Sequence, residues 1–350
     1  MTRPQRDLLQ RYPAILRKAG WGLFTVGFVL VLNFFLFRVL PGDPARAGVR
    51  DPRLSPQAQE AIGIRFGLDR PVINCLESIN PLRAGPCFTN PLDTQFFRYL
   101  ANLSQGELGF SYQNSQPVAG LLKERLWNTV LLLGAGQVLA ILLGVVLGMV
   151  AAWKAGTFID HAALVASLLA WSLPTFWLGI TLLFWGSDLG LPIGGKSTPG
   201  LDAASGWASW VDLARHLILP TLTQTIVFMA EYMLIMRSTL LEVLAQDYIL
   251  TARAKGLSTF QILKDHALRN AALPLVTLVA LNLGLTVAGA IQIETVFSWP
   301  GLGLATFEAV TRRDYPLLQG VFLLLALSVV CANVGAELLY AWLDPRVRDK

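Results

Sequence analysis

Charge is scarce in this sequence. Charged side chains make up 15% of its 350 residues, while hydrophobic residues reach 54%; soluble domains average roughly 25% charged residues. This balance excludes an ordinary soluble domain and predicts an all-α polytopic membrane protein. The formal net charge of +5 lies mainly between apolar runs, where basic residues set membrane orientation. We therefore expect a lipid bilayer, and not nucleic acid, around this chain.

Cysteine is also rare. Three cysteines are too few for a disulfide scaffold or a CxxC-type metal site, so we expect no metal and no cofactor in the chain itself. Cys331, within the last apolar run, is expected to be a small buried apolar residue. A long internal repeat is missing too. Secondary transporters driven by an ion gradient usually have inverted repeats, so that class is only a remote alternative.

Six apolar runs are long enough to span a membrane, since about 20 residues cross the hydrocarbon core. They are residues 19–40, 127–153, 161–185, 213–236, 275–293 and 316–343. The first run exceeds the roughly 7–15 residues of a signal-peptide core, and the breakers Pro41-Gly42-Asp43-Pro44 follow it, so we expect a span rather than a cleaved signal. Residues 41–126 are polar and form a predicted cap outside the membrane.

Lysine and arginine predict the orientation. With residues 1–18 and 344–350 in the cytoplasm, the short segments on that side hold 14 basic residues, and the outer side holds four when Arg215, at the outer end of the fourth run, is included. The long cap is exempt because large domains translocate regardless of charge. Both termini and residues 237–270 are therefore predicted to be cytoplasmic.

Two patterns inside the spans predict helix geometry. Ala140, Gly144, Gly148 and Ala152 recur every fourth residue, a stripe that allows another helix to approach closely. Pro174 lies within the third span, where a kink is tolerated if neighbours satisfy the freed carbonyl.

A formal match to the GxxxxGK[ST] phosphate loop runs from Gly190 to Ser197. That motif requires a strand before it and a helix after it. Here an apolar helix precedes it, and Thr198-Pro199-Gly200 prevents a helix from following directly. We reject a nucleotide site at this position.

A polar island separates the fourth and fifth spans. We predict one helix from about Glu242 to Lys255, ended by Gly256 in a left-handed C′ position, and a second helix opened by a capping box of Ser258 and Gln261. Two capped helices joined by a tight turn make a rigid projection, called the knob below (residues 242–270), that can transmit force to a partner. An ordinary loop with helical character is the alternative.

The knob closely resembles the EAA loop of ABC-importer permeases, in the variant of the dipeptide/oligopeptide/nickel branch. The resemblance rests on DYILTARAKGL (247–257) and HALRNA (266–271). It covers nearly the whole chain through PGDP (41–44), GELG (106–109) and residues 294–303 and 344–346. The chain is most similar to the first of the two permeases in such systems, and residues 74–93 look like an insertion.

The resemblance implies a type I ABC-importer permease fold in a bacterial-type inner membrane and a non-catalytic subunit. It implies a second homologous permease, two cytoplasmic ATPase subunits that bind ATP and Mg, and an extracytoplasmic solute-binding protein. Peptides are the leading substrate, with nickel chelates, opines and glutathione left open. The implied ATPase-coupling residues are Asp247, Tyr248, Thr251, Ala252, Arg253, Ala254, Lys255, Gly256, Leu257, His266, Arg269 and Asn270. A non-transporting scaffold would explain the spans but not the knob.

Residues inside two spans, most of them polar, are candidates for the substrate pathway. On the fourth span they are Gln224 and Glu231, seven residues apart on one helix face, with Phe228 beside them. On the fifth they are Asn282, Thr286 and Gly289. A charge within a span costs about 2.5–3.5 kcal/mol and usually faces a bundle interior or water-filled cavity. We expect Glu231 to line the pathway; an ion pair with the partner permease is the alternative.

Two further predictions concern the outer side. The loop after the fifth span is expected to act as a gate or docking surface through Glu294, Phe297, Trp299, Pro300 and Gly301. Cys75 and Cys87 are expected to form a disulfide because the cap faces an oxidising compartment, although two free thiols remain possible.

Overall fold

The structure, a computed structural model, describes residues 20–37, 55–57, 94–111, 113–201, 206–286 and 291–343. Within these ranges the chain is mostly helical. The helices are α1 (Gly20–Phe37), α2 (Gln95–Ser104), α3 (Val118–Trp153), α4 (Phe158–Ser172), α5 (Thr175–Asp188), α6 (Trp207–Leu244), α7 (Asp247–Ala254), α8 (Thr259–Gln261), α9 (Leu268–Thr286), α10 (Ile291–Val296), α11 (Leu302–Arg312) and α12 (Tyr315–Leu343), with a π-helical turn, Ile262–Ala267, between α8 and α9.

Several predictions fall outside these ranges. They are the Cys75–Cys87 disulfide, most of the cap, Gly289, and the motifs at residues 41–44 and 344–346. Each stays a prediction.

In the described part of the chain, four helices are long and apolar enough to cross a membrane: α1, α3, α6 and the described portion of α12. The bent pair α4 and α5 would make a fifth. The predicted span at 275–293 runs across residues 287–290, which lie outside the described ranges. Six spans therefore stay a prediction.

The third predicted span is not one kinked helix. Its two halves, α4 and α5, are bent by 100°, so the single helix expected over 161–185 is wrong. Leu173 adopts an extended conformation with ψ of 130°, because the residue before a proline avoids the helical region. Pro174 then serves as the N-cap of α5. The chain makes a sharp corner where sequence analysis predicted a modest kink.

The first knob helix is also shorter than predicted. The fourth span continues as α6 as far as Leu244, and Gln246 is extended with ψ of 150° before α7 begins at Asp247. The predicted helix from Glu242 to Lys255 is therefore divided in two. The second knob helix runs on without a break, through the π-helical turn, into α9.

The region of the formal phosphate loop has a different setting from a nucleotide site. Helix α5 precedes it, and the next described helix, α6, begins at Trp207. Thr198 donates both its backbone N–H and its hydroxyl to Asp212, at 2.7 and 2.6 Å. The loop is thus tied to the start of α6.

The chain divides into two compact units. The first comprises Met1–Arg125 and Ala305–Val330. Within it, Asn33 of α1 donates to the carbonyl of Gln319 at 3.0 Å, and the Phe37 and Phe322 rings lie 5.7 Å apart. Buried Asp314 accepts the Ser111 hydroxyl and the Gln113 N–H. These bonds tie the segment before α3 to the start of α12.

The second unit comprises Leu126–Leu304 and Cys331–Lys350. Its helices α3 and α6 approach closely at the small-residue stripe, and the packing prediction is confirmed. A Cβ at Gly144 would lie 2.6 Å from the Met229 carbonyl oxygen, and one at Gly148 would lie 2.7 Å from that of Met233. The expectation of a buried Cys331 is wrong for this chain, because that residue is exposed.

A hydrophobic cluster of the second unit supports the knob. It includes Tyr232 and Met236 of α6, Ile249 of α7, and Ile262 and Ala267 of the π-helical turn, each nearly inaccessible to solvent. Burying such side chains is worth about 1.5–3 kcal/mol each for the larger ones. The knob is therefore packed onto the spans instead of hanging from them.

Candidate functional site

The knob presents one face outward and buries the other. Leu250 is 68% exposed and Phe260 is 63% exposed, whereas Ile249 and Ile262 are buried. Large apolar side chains on an exposed projection are a mark of a protein interaction surface. The outward face therefore combines apolar anchors with the charged side chains of Arg253 and Lys255, which are also exposed.

The corner of the knob has the backbone that the sequence predicts. Gly256 has φ of +77°, and its N–H donates to the Arg253 carbonyl at 2.9 Å. The capping box is present: the Ser258 N–H donates to Gln261 Oε1 at 3.0 Å, and the Gln261 N–H donates to Ser258 Oγ at 3.3 Å. Together these features fix the turn between α7 and α8.

A side-chain bond closes the knob. Asn270 of α9 donates from Nδ2 to the Tyr248 hydroxyl at 2.8 Å, joining the start of α7 to α9. Most of the predicted coupling residues are exposed: Asp247, Tyr248, Thr251, Arg253, Ala254, Lys255, Gly256, His266 and Asn270. Ala252 is buried and Leu257 is half-buried, so these two support the surface from within. Arg269 lies in α9.

An ion pair lies next to the knob in sequence and braces α6. Arg237 donates from Nε to Asp160 Oδ1 at 2.6 Å and from Nη2 to Asp160 Oδ2 at 2.7 Å. The Gly156 N–H also donates to Oδ2, at 2.9 Å. The carboxylate is 2% exposed and the guanidinium 21% exposed. A forked, charge-assisted pair of this kind fixes geometry as well as charge, and it joins the start of α4 to the end of α6.

The predicted pathway residues do not share one environment. Gln224 is buried against α3, where its Nε2 donates to the Leu133 carbonyl at 3.2 Å, and a Cβ at Gly136 would lie 2.5 Å from its Oε1. Phe228 and Glu231 are half-buried. The single lining face expected from the seven-residue spacing is therefore wrong for Gln224, which is used in helix packing.

Glu231 and Asn282 are brought together. Asn282 Nδ2 lies 3.2 Å from Glu231 Oε2 and 2.9 Å from the Tyr232 hydroxyl. The same hydroxyl accepts from Gln137 Nε2 of α3. A polar network thus connects α3, α6 and α9. Thr286 lies at the end of α9.

The segment after α10 encloses a buried carboxylate. Glu294 Oε1 accepts from the Thr129 hydroxyl at 2.7 Å, and Oε2 accepts from the Leu304 N–H at 3.0 Å. Thr129 Oγ1 in turn accepts from the Leu302 N–H at 2.7 Å. The two bonds of Thr129 join parts of the chain that are distant in sequence. The bond from Leu304 spans the turn between α10 and α11.

A second pair of bonds fastens the same segment to α3. Trp299 donates from Nε1 to the Asn128 carbonyl at 2.9 Å, and Asn128 Nδ2 donates to the Pro300 carbonyl at 2.8 Å. A Cβ at Gly301 would collide with the Glu294 carboxyl group. The segment is therefore closely packed around Glu294.

These contacts correct the docking prediction for the loop. Glu294 and Trp299 are each 0% exposed and Phe297 is 2% exposed, and Gly301 is buried. Buried side chains cannot supply a docking surface to another protein, so the docking role does not fit these four residues; for half-buried Pro300 it stays a prediction. The gating role stays a prediction.

Sequence reasoning missed the partners of these groups. Asp160 was not linked to Arg237, and Thr129 was not linked to Glu294. Asp160 comes directly before the apolar run 161–185 and Thr129 lies near the start of the run 127–153, and these positions are the only sign of them in the sequence. Their pairing joins positions 77 and 165 residues apart, and a distance of that kind follows from tertiary packing alone.

Comparison with known proteins agrees with this architecture. Residues 144–349 match the family described as "Binding-protein-dependent transport system inner membrane component". A putative peptide permease protein of Brucella suis is 38% identical over 336 residues, covering 93% of this chain and 96% of the relative. The dipeptide transport system permease protein DppB of Escherichia coli K12 is 33% identical over 358 residues, covering 96% of this chain and 98% of the relative.

A solved structure has the same fold. A chain of the MetNI methionine ABC transporter in an inward-facing conformation aligns with a TM-score of 0.51 and 18% identity, covering 66% of this chain and 99% of that chain. At this identity the likeness concerns the fold only. It supports the type I ABC-importer permease fold predicted from the sequence, and the family match places that fold in the inner membrane. The chain belongs to the family of inner-membrane components of binding-protein-dependent transport systems.

Proposed function

We propose that this chain is a permease subunit of an ABC importer for peptides. It forms half of the translocation pathway, and a second, homologous permease forms the other half. Support for a peptide substrate comes from the names of the relatives, which include a dipeptide permease and a di/tripeptide permease of Pseudomonas aeruginosa that is 34% identical over 351 residues. Both termini face the cytoplasm, as the distribution of lysine and arginine predicts.

The knob couples this subunit to the cytoplasmic ATPases. The observation that carries the proposal is a rigid projection with Leu250 and Phe260 on its outward face, packed onto the spans by buried Ile249 and Ile262. Two ATPase subunits bind ATP and Mg and carry out hydrolysis, so this chain is non-catalytic. Their closure moves each knob as a rigid body and shifts the spans between inward- and outward-facing arrangements.

The substrate reaches the pathway from an extracytoplasmic solute-binding protein that docks on the outer side. Inside the membrane we assign the pathway to Phe228, Glu231 and Asn282, together with Thr286 and Gly289. Gln224 is left out because its amide is committed to α3. The half-buried state of Glu231 and Asn282 supports this assignment.

The test is reconstitution of the chain with the second permease, both ATPases and the binding protein. Leu250→Asp places a charge on the outward face of the knob and should prevent the ATPases from co-purifying, with loss of ATP-driven peptide uptake. Leu189→Asp is the matched control, since Leu189 is 79% exposed at the far end of α5. Normal ATPase binding by Leu250→Asp, or equal loss in both variants, would contradict the coupling role.

A further inference from the structure

We propose that Glu231 selects substrates by charge: its carboxylate, held by Asn282, favours passage of substrates that carry an additional ammonium or guanidinium group. The inference rests on the proposed function, because it requires that α6 and α9 line a peptide pathway. The inference adds a class of substrates, cationic peptides, and names Glu231 as the residue that favours this class.

Neutral groups hold the carboxylate in place. Asn282 Nδ2 bridges Glu231 Oε2 and the Tyr232 hydroxyl, at 3.2 and 2.9 Å. Tyr232 is fully buried, and its hydroxyl also accepts from buried Gln137. The amide of Asn282 is thus anchored on its buried side and presents a donor to Glu231. The carboxylate is oriented without being neutralised.

The described part of the chain supplies no counter-ion to this carboxylate. Arg237, six residues further along α6, is engaged by both oxygens of Asp160. Arg215, on the same helix, is 16 residues away, about 24 Å along the axis, and donates to the Gly190 carbonyl. Among the described residues the hydrogen-bond partner of Glu231 is Asn282. Within the described ranges, therefore, no cation is in place beside Glu231, and we assign that role to a group on the substrate.

The geometry favours a transient cation over a permanent ion pair. A permanent pair is exemplified by the forked contact of Arg237 with Asp160, with distances of 2.6 and 2.7 Å. Glu231 instead has one neutral donor at 3.2 Å, at the long end of the hydrogen-bond range, and it is only half-buried. Its remaining lone pairs are open to a passing cation. Sites along a pathway must also bind weakly enough to release what they bind.

The experiment measures initial ATP-driven uptake of three peptides into proteoliposomes at saturating binding protein. The peptides are alanyl-lysine, alanyl-alanine and alanyl-glutamate. Glu231→Gln should lower the uptake of alanyl-lysine relative to alanyl-alanine by about fivefold, the size expected for one partly exposed ion pair. The same variant should raise the uptake of alanyl-glutamate relative to alanyl-alanine. Glu231→Asp, which keeps the charge, should recover much of the wild-type ratio.

Asp188→Asn is the matched control, because it removes one negative charge at the exposed end of α5 and should leave the ratio unchanged. Equal effects of Glu231→Gln on the uptake of all three peptides, or no effect, would overturn the inference. Peptide uptake by the wild type would still uphold the proposed function in that case. Loss of the second permease from the purified Glu231→Gln complex would overturn it in favour of a structural ion pair. If the wild type takes up none of the peptides, both the proposed function and the inference fail.

Discussion

Gly256 shows how one residue can be required for its backbone alone. Its φ is +77°, and a Cβ at this position would meet nothing within 4 Å, so the cost of a substitution is conformational and amounts to about 1–2 kcal/mol. We expect Gly256→Asp to insert and assemble, but to lose binding-protein-stimulated ATP hydrolysis and transport. Uptake and ATPase assays on the reconstituted complex measure both.

Gly106 provides the control for this change. It has the same φ of +77° and the same open space, but it belongs to the segment between α2 and α3 and not to the knob. Gly106→Asp should lose a similar amount of stability and keep its ATPase stimulation. If the two variants behave alike in transport, Gly256 serves only as a helix cap and the coupling assignment is wrong.

Thr129 acts through two hydrogen bonds at once. Its hydroxyl donates to Glu294 and accepts from the Leu302 N–H. Thr129→Val keeps the shape of the side chain but removes a donor and an acceptor from buried groups, so we expect a loss of about 1–3 kcal/mol. Thermal unfolding in detergent measures it. Thr181→Val should have little effect, because the exposed Thr181 hydroxyl donates only to the Trp177 carbonyl of its own helix.

Helix α3 depends on close contact with α6. A Cβ at Gly144 would lie 2.6 Å from a backbone oxygen of α6, and backbone cannot move away cheaply. Gly144→Ala should therefore destabilise the protein by about 1–3 kcal/mol through overpacking. Gly134→Ala, on the same helix but with nothing within 4 Å, should be neutral or slightly stabilising because alanine favours helix. The unfolding midpoint in detergent separates the two, and equal midpoints would contradict the close approach.

The brace between α4 and α6 depends on a guanidinium. Arg237→Gln leaves the buried Asp160 carboxylate without its cation, which should cost about 3–5 kcal/mol. Arg237→Lys keeps the charge but loses the fork, so its cost should be intermediate. Adding Asp160→Asn to Arg237→Gln should recover part of the loss. Unfolding of these three variants and of Asp160→Asn alone, in one detergent, tests this, and additive losses in the double variant would exclude direct coupling of the pair.

Residues outside the described ranges test the topology of the whole molecule. Cys75 and Cys87 both lie in the predicted cap. If the cap faces an oxidising compartment, non-reducing mass spectrometry should find them joined, with the loop closure stabilising the cap by about 3 kcal/mol. Cys331 is free but lies within the predicted span α12, so its alkylation after unfolding in detergent controls for an active reagent. Alkylation of Cys75 and Cys87 in the native protein would show two free thiols instead.

The fold class, the position of most apolar helices and the knob follow from sequence alone. Hydrophobic runs identify α1, α3, α6 and α12, because a chain that crosses lipid must satisfy its backbone hydrogen bonds within its own helix. Gly256, Ser258 and Gln261 mark the corner of the knob because left-handed backbone and helix caps depend on neighbouring residues in the chain. The family was recognised from motifs of the same local kind. All of these are short-range properties.

Tertiary structure decided what each polar residue does. Pro174 in the sequence predicts a kink but not the 100° corner, because a proline alone does not determine how far the chain turns. The sequence places Glu294 in a loop rich in helix breakers, yet it lies in α10 and is buried, where Thr129 of α3 donates to it. Gln224 and Glu231 share a spacing, but α3 lies against only the first. Such outcomes depend on which helices meet, and a pattern within one helix contains no information about the neighbour that covers it.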